Sequence, residues 1–424
     1  MIPFLVWASA AHALTLDEAF TAAERSDLQL QLAQETAIQQ GTLRGKAWSA
    51  LSPRVSAHAG YVINNQEITL DFAESIPPEF AALFPESEPI IVQKKAFWQG
   101  DLTASARLFS GTALPGLKAA YALSDAAKQD VAAARAGSRS RVAESYYGVL
   151  TARRGVEVAT EGLELARAQL ELATAQRDVG VGDERVVLQA RLGVSQAERD
   201  LRSAQEGRLE AETGFELVTG LPPDDLELPT PFEVPADEEE AVRVAQRERP
   251  DILALDDRVR AARLGNAGQA MTWLPVVDAV GSYNYTENTG LATPKNWTWR
   301  VVFQATWDIW DGGLRIANQR EAASRVRAAE LGQALAIDNA EREVRLAYEA
   351  HERAGAALTA VEDDRAVAEE SLRLAELGYQ AGNVTWIEVQ GARLQLQATE
   401  LSILRERMTR DLAAIELLER TGQL

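Results

Sequence analysis

The chain repeats itself. Gly180 and Gly382 stand 202 positions apart, and so do Ala190 and Ala392, Arg191 and Arg393, Leu192 and Leu394, Glu198 and Glu400, and Thr219-Gly220 and Thr421-Gly422. The same offset joins Val142 to Val344, Tyr146 to Tyr348, Leu170 to Leu372 and Ala173 to Ala375. Upstream, LFSG at 108–111 matches IWDG at 309–312 at an offset of 201, and Pro53 matches Pro275 at 222, because the first half has the longer loop. Any fold for these 424 residues must be built twice from one plan. The first repeat runs over 14–221 and the second over 237–424. Between them, 222–236 holds five prolines and no helical period, and reads as a connector with a short strand at 226–228.

Each repeat has two textures. In 142–173, large residues recur every seven positions (Val142, Val149, Val156, Leu163, Leu170), with small ones three further on (Ser145, Ala152, Ala159, Ala166, Ala173). Val344, Leu358 and Leu372 with Ala347, Ala354, Ala368 and Ala375 repeat the pattern, broken at His351 and Arg365. The stretch 187–218 does the same through Val187, Val194, Leu201 and Phe215. A seven-residue apolar repeat over several heptads means supercoiled helices, and alanine at every second seam position lets them approach closely. Residues 117–178 read as one helix of about 62 residues, about 93 Å long at 1.5 Å per residue. The shorter 28–50 and 185–219 together match it in length; 315–378, 251–270 and 386–420 are the second-half set.

The other texture has period two. DLTASARLF at 101–109 sets Leu102, Ala104, Ala106 and Leu108 against Thr103, Ser105 and Arg107. LSPRVSAHAGYVI at 51–63, VVDAVGSYNY at 276–285 and WTWRVVFQATWDIW at 297–310 alternate less strictly. These read as strands of the length a tilted strand needs to cross a bilayer. Trp98, Trp273, Trp297, Trp299, Trp307 and Trp310, six of nine tryptophans, lie in or beside them, as interfacial girdles would. Four strands cannot close a barrel, and open edges cannot face lipid, so a membrane location requires several chains to share one barrel. Two copies would supply eight strands and three would supply twelve.

Other features narrow the function. Residues 1–13, MIPFLVWASAAHA, end in an A-x-A pattern and read as a signal peptide. The absence of cysteine removes disulfides, thiolate metal sites and a Cys nucleophile. The net charge is −20 and no basic run exceeds Lys94-Lys95 or Arg153-Arg154, so no nucleic acid is expected as a partner. The acidity fits either solubility or a cation-attracting interior. Three histidines, His12, His58 and His351, show no metal-ligand spacing, and no catalytic constellation is visible. The chain therefore reads as a non-enzyme without metal or cofactor. Gly41-Thr-Leu-Arg-Gly45-Lys46 is one residue short of a phosphate loop and sits in a helical pattern. The loop 64–95, with Pro77, Pro78, Pro85, Pro89 and six acidic residues, reads as a lid over a barrel mouth or a mobile tip.

LTLDEAF at 14–20, ERPDILALDDRV at 248–259, IWDGG at 309–313, GYQAGNVTWIEVQGARLQLQATEL at 378–401 and the weaker VGVGDERVVLQARL at 179–192 occur in the order found in TolC-type outer-membrane efflux proteins. Over about 410 residues the chain resembles that family. The resemblance implies a mainly α, internally duplicated fold with membrane β-structure. Three copies would share a twelve-stranded transmembrane barrel and a periplasmic α-barrel of long coiled-coil helices. It implies a homotrimeric channel in the bacterial outer membrane, in contact with outer-membrane lipid, that docks a periplasmic membrane-fusion adaptor and an inner-membrane pump of the RND, ABC or MFS type. It would be the passive exit duct of a tripartite efflux or type I secretion system. Tyr379 matches the family's gate tyrosine and Glu388 one carboxylate of its acidic ring. The second ring position is Gly391, and the first-half gate aspartate falls at Val186. Asp183, Glu184 and Arg185 stand nearby as candidates to replace that latch, and carboxylates ringing a pore favour cations. Val179-Gly180-Val181 and Ala381-Gly382-Asn383 correspond to the adaptor-contact turns. The alternative reading is a periplasmic coiled-coil adaptor or scaffold with a soluble β-domain.

Overall fold

The computed structural model describes residues 14–70, 90–289 and 295–424; residues 1–13 and most of the loop 64–95 lie outside them. The repeat is visible element by element. The first copy holds α1 (Leu16–Ser26), α2 (Leu28–Ser49), β1 (Arg54–Ile63), β4 (Ala96–Phe109), α3 (Ala113–Asp178) and α4 (Glu184–Thr219). The second holds α5 (Glu238–Glu248), α6 (Pro250–Ala270), β5 (Val276–Thr286), β6 (Trp297–Thr306), α7 (Leu314–Gln380) and α8 (Trp386–Thr421). A small antiparallel pair, β2 (Ile68–Leu70) and β3 (Ile90–Gln93), has no counterpart among the described residues of the second copy. Two compact units result. One comprises the chain up to Ile38, Ala126–Asp256 and Leu331–Leu424; the other comprises Gln39–Asp125 and Asp257–Glu330.

In the first unit the seven-residue seams are buried in part, with Val156, Leu170, Val194, Leu201 and Leu372 only half-buried. Val142, Val149, Leu163, Ala173, Val344, Ala347, Ala354, Leu358 and Ala368 are all buried, as are Val187 and Phe215 on α4. The largest cluster forms where α1 meets the long helices: Leu16, Ala19, Phe20 and Ala23 pack on Val142, Ala143, Tyr146, Tyr147, Phe215 and Ile415. In the second copy Ala241, Val242 and Ala245 of α5 pack on Val344, Ala347 and Leu417. The short amphipathic helices α1 and α5 had not been expected from sequence. Each opens on a side-chain cap, Thr15 with Glu18 in a capping box and Asp237 accepting from the Glu240 N–H. The tyrosines at the 202 offset do matching work. The Tyr146 hydroxyl lies 2.6 Å from the carbonyl oxygens of both Leu14 and Glu227, and that of Tyr348 donates to Ala236 O at 3.2 Å. Burial is the main cause that pushes the Tyr146 phenol up to about 12. The strand expected at 226–228 shrinks to one parallel bridge between Leu14 and Leu226.

The junctions after α1 and α5 are built alike with opposite charge. Asp27 caps α2, accepting from the Gln29 N–H at 2.8 Å, while its other oxygen accepts from Ser138 Oγ at 2.5 Å and Arg141 at 2.6 Å. At the offset of 222 stands Arg249, whose guanidinium donates to Asp251 at 2.8 Å and to Glu343 at 2.7 Å. Glu343 is the 202 counterpart of Arg141. In both copies the junction side chain is 12% exposed and its long-helix partner 42%. The geometry has been kept and the signs exchanged.

The second unit contains a four-stranded antiparallel sheet in the order β1-β4-β5-β6. Alternation and register divide its residues between two faces. One face carries Val55, Ala57, Ala59, Tyr61 and Ile63 of β1, Trp98, Leu102 and Ala104 of β4, Tyr283 and Tyr285 of β5, and Trp297, Trp299, Val301 and Phe303 of β6. The other carries Arg54, Ser56 and His58, then Asp101, Thr103, Ser105 and Arg107, then Asp278, Ser282 and Asn284, then Thr298, Arg300 and Gln304. On this polar face His58 meets Asp101 at 3.1 Å and Arg107 meets Asp278 at 3.2 Å. The apolar face is exposed, with Phe303, Ile63 and Trp299 each about 70% open. The outer edges of β1 and β6 have no neighbour among the described strands.

The last strand ends earlier than its sequence suggests. β6 stops at Thr306, although the apolar alternation runs to Trp310. Local partners win. Trp307 donates its indole N–H to Trp273 O at 3.0 Å, and Arg315 stacks 4.4 Å from the Trp273 ring centroid. The Asp311 carboxylate accepts from the N–H groups of Gly313 and Arg315 at 3.1 and 2.9 Å. Gly312 and Gly313 then take φ of +71° and +91°, a turn only glycine makes cheaply. β4 is longer than expected, starting at Ala96.

Candidate functional site

Two hairpin tips, both in the first unit, hold the residues singled out from sequence. The first joins α3 to α4. Gly180 adopts φ +79°, so the Val181 N–H reaches back to Gln176 O at 3.0 Å and the Gly180 N–H to Arg177 O at 2.9 Å. This is a Schellman closure, which satisfies carbonyls the helix end leaves open. The second tip joins α7 to α8 identically: Gly382 has φ +76°, Asn383 N–H donates to Gly378 O at 2.8 Å, and Gly382 N–H to Tyr379 O at 3.0 Å. A Cβ on either αL glycine would meet nothing within 4 Å, so it is the dihedral that requires glycine. Val179 and Val181 are 75% and 81% exposed, and Ala381, Gly382 and Asn383 are also open. A partner could reach both turns.

The carboxylates beside the turns have local employment. Asp183 caps α4, accepting from the Arg185 N–H at 2.9 Å, and the Arg185 guanidinium lies 3.9 Å from it. Glu184 lies 3.4 Å from Arg177, which also holds Asp178 at 2.6 Å. At the second tip Thr385 and Glu388 form a capping box. Glu388 N–H donates to Thr385 Oγ1 at 3.3 Å, and Glu388 accepts from the Thr385 N–H at 2.7 Å and hydroxyl at 2.9 Å. Those bonds hold the Glu388 carboxyl below the usual range, backbone donor first. The signature T-x-x-E at 385–388 was readable from sequence; reading Glu388 only as a ring carboxylate overlooked it.

Tyr379 is half-exposed and packs on Trp386, the first residue of α8, with ring centroids 5.7 Å apart. Sequence reasoning left Trp386 out, although an aromatic seven residues after Tyr379 across a five-residue turn was the available signal. Val186, which stands at the position matched to a gate aspartate, is exposed and apolar, as is Leu188. Among the described residues there is no group of three or more His, Asp or Glu placed to hold a metal.

A sheet with one apolar face and one polar face, in a chain that also carries duplicated long helices with open hairpin tips, defines an outer-membrane channel subunit. Among the described residues no helix is long and apolar enough to cross a membrane. The family model for outer membrane efflux proteins matches residues 21–221 and 241–423, and the chain belongs to that family. It is an outer-membrane protein with periplasmic helices. It is 27% identical to outer membrane protein OprJ of Pseudomonas aeruginosa over 179 residues, spanning 41% of this chain and 37% of that one. The solved channels MtrE of Neisseria gonorrhoeae (TM-score 0.74, 20% identity) and CmeC of Campylobacter jejuni (0.75, 16%) match 96% of this chain and 88% and 85% of theirs. A CusC structure, described as changing conformation during folding and transmembrane channel formation, matches at TM-score 0.75 and 18% identity over 96% of this chain and 92% of its own. These likenesses bear on the fold.

Proposed function

We propose that three copies share one barrel and one helical tunnel, forming the passive exit duct of a tripartite efflux or type I secretion system. The observation that carries this is the sheet. Each strand of about ten residues rises about 3.3 Å per residue, and a tilt near 40° gives a band about 25 Å tall, the thickness of a transmembrane barrel's apolar belt. A soluble β-domain, as in the adaptor or scaffold reading, would bury the face that carries Tyr61, Trp98, Trp299 and Phe303. Closing β6 of one copy on β1 of the next removes both free edges at once.

In this reading Val179-Gly180-Val181 and Ala381-Gly382-Asn383 dock a periplasmic membrane-fusion adaptor, and an inner-membrane pump of RND, ABC or MFS type supplies the work. Tyr379 and Glu388 form part of the closed gate, with Asp183, Glu184 and Arg185 as its first-half counterpart. Gly391 and Val186 leave that gate with fewer acids than the family pattern. The test is extraction and cross-linking. The native protein should resist carbonate, leave the membrane only in detergent, and cross-link as a trimer through cysteines placed on the outer edges of β1 and β6. Release by carbonate would refute the duct. In planar bilayers, Tyr379→Ala with Glu388→Ala should open more often than the parent; equal open probability would remove both residues from the gate.

A further inference from the structure

The polar face of the sheet departs in charge from the rest of the molecule. The whole chain carries −20. The polar face carries three arginines, Arg54, Arg107 and Arg300, and two aspartates, Asp101 and Asp278. Arg107 is matched to Asp278 at 3.2 Å, and Asp101 faces His58 at 3.1 Å. Among the described residues Arg300 has no acidic neighbour in its own transverse row. Across the sheet it stands opposite Ser282, which stands opposite Thr103, which stands opposite Ser56. The Thr103 hydroxyl is spent on Asp101, to which it donates at 3.1 Å, so the row offers one guanidinium with a fixed positive charge and the Ser282 and Ser56 hydroxyls, donors of the kind that receive carboxylate and phosphate oxygens. β6 is an edge strand, so the row ends at the seam where the next copy's β1 would close the barrel.

We infer that Arg300, with the Ser282 and Ser56 hydroxyls of its row, forms an anion-binding belt inside the barrel that engages carboxylate or phosphate groups of exported molecules. This rests on the trimeric barrel proposed above, where the polar face lines the lumen. Three copies place three guanidiniums at one level. Their attraction for a tetravalent anion at about 10 Å in water, reduced by one Debye length of screening at 0.1 M salt, corresponds to on the order of twenty-fold in binding. For chloride the same geometry gives about two-fold.

The test is equilibrium dialysis of inorganic tripolyphosphate against the detergent-purified trimer in 0.1 M salt. This readout does not depend on whether the periplasmic gate is open. Wild type should bind, Arg300→Gln should weaken binding about twenty-fold, and Arg300→Lys should keep most of it. In planar bilayers Arg300→Gln should also lower the chloride-to-potassium permeability ratio about two-fold. A trimeric wild type that does not bind, or Arg300→Gln binding as tightly as wild type, overturns the belt. A protein that does not cross-link as a trimer overturns the parent reading instead, and the belt with it.

Discussion

Asp27→Ala removes two functions at once. The side chain caps α2 through the Gln29 N–H, a contribution of about 1 kcal/mol. It also accepts charge-assisted bonds from Ser138 and Arg141, which add about 1.5–3 kcal/mol for a group only 12% exposed. Arg141, itself 42% exposed, can turn to water when its partner goes, which favours the lower end. A total loss of about 2–3 kcal/mol is expected. Asp27→Arg should cost more, because two guanidiniums then meet. The exchanged pair Asp27→Arg with Arg141→Asp should recover the ion pair but not the cap, ending about 1 kcal/mol below wild type. The assay is a double-mutant cycle on denaturant midpoints at one protein concentration, since trimer stability depends on concentration. Purely additive effects would refute direct coupling. The pH sign agrees. Burial tends to raise the Asp27 pKa, but the bonds from Ser138, Gln29, Leu30 and Arg141 outweigh it and hold the group below 3.8. Its contribution is therefore complete above the unfolded-state value near 3.9 and is lost as pH falls through the lower folded value.

Other outcomes follow from single contacts. Tyr146→Phe should cost about 1 kcal/mol, read from the denaturant midpoint, because the hydroxyl proton between the Leu14 and Glu227 carbonyls is lost, while Leu14 O keeps the Glu227 N–H at 3.2 Å. With its phenol pushed up to about 12, Tyr146 contributes fully below pH 10, and that contribution fades between 10 and about 12, checked by alkaline titration of tyrosine absorbance. Gly382→Ala should cost about 1–2 kcal/mol because φ is +76°, whereas Gly378→Ala, in ordinary helical backbone, should instead place Cβ 2.5 Å from Val384 Cγ2; hydrogen exchange at the turn separates strain from clash. Below the lowered pKa of Glu388 its capping box opens, so amides of the first turn of α8 should lose protection relative to their intrinsic exchange rates in acid, and Thr385→Ala should show that loss already at neutral pH.

Legibility followed the range of the interaction. The seven-residue seams were readable because every member of a seam faces the same neighbour, and Val142, Val149, Leu358 and Val187 are buried accordingly. The strands were readable because alternation is a one-strand property. What stayed hidden needs two distant segments. Asp27 and Arg249 look unrelated until each meets its partner on a long helix, 114 and 94 residues away. The end of β6 depends on Arg315 stacking over Trp273, which no alternation pattern encodes. The Thr385–Glu388 box is local and legible as T-x-x-E, and the same glutamate falls at the position matched to an acidic ring.

The exposed face and free edges of the four-stranded sheet bear on the order of events in the cell. A lone copy that paired its strands would present Tyr61, Trp98, Trp299 and Phe303 to water and an unpaired backbone row on β1 and β6, a template for any passing strand. Membrane entry and association then become one kinetic step, whose rate rises with more than the first power of protein concentration. The helical unit has a buried core of its own and can wait; the sheet cannot be completed by one chain, so the population of finished duct is set by encounters between copies.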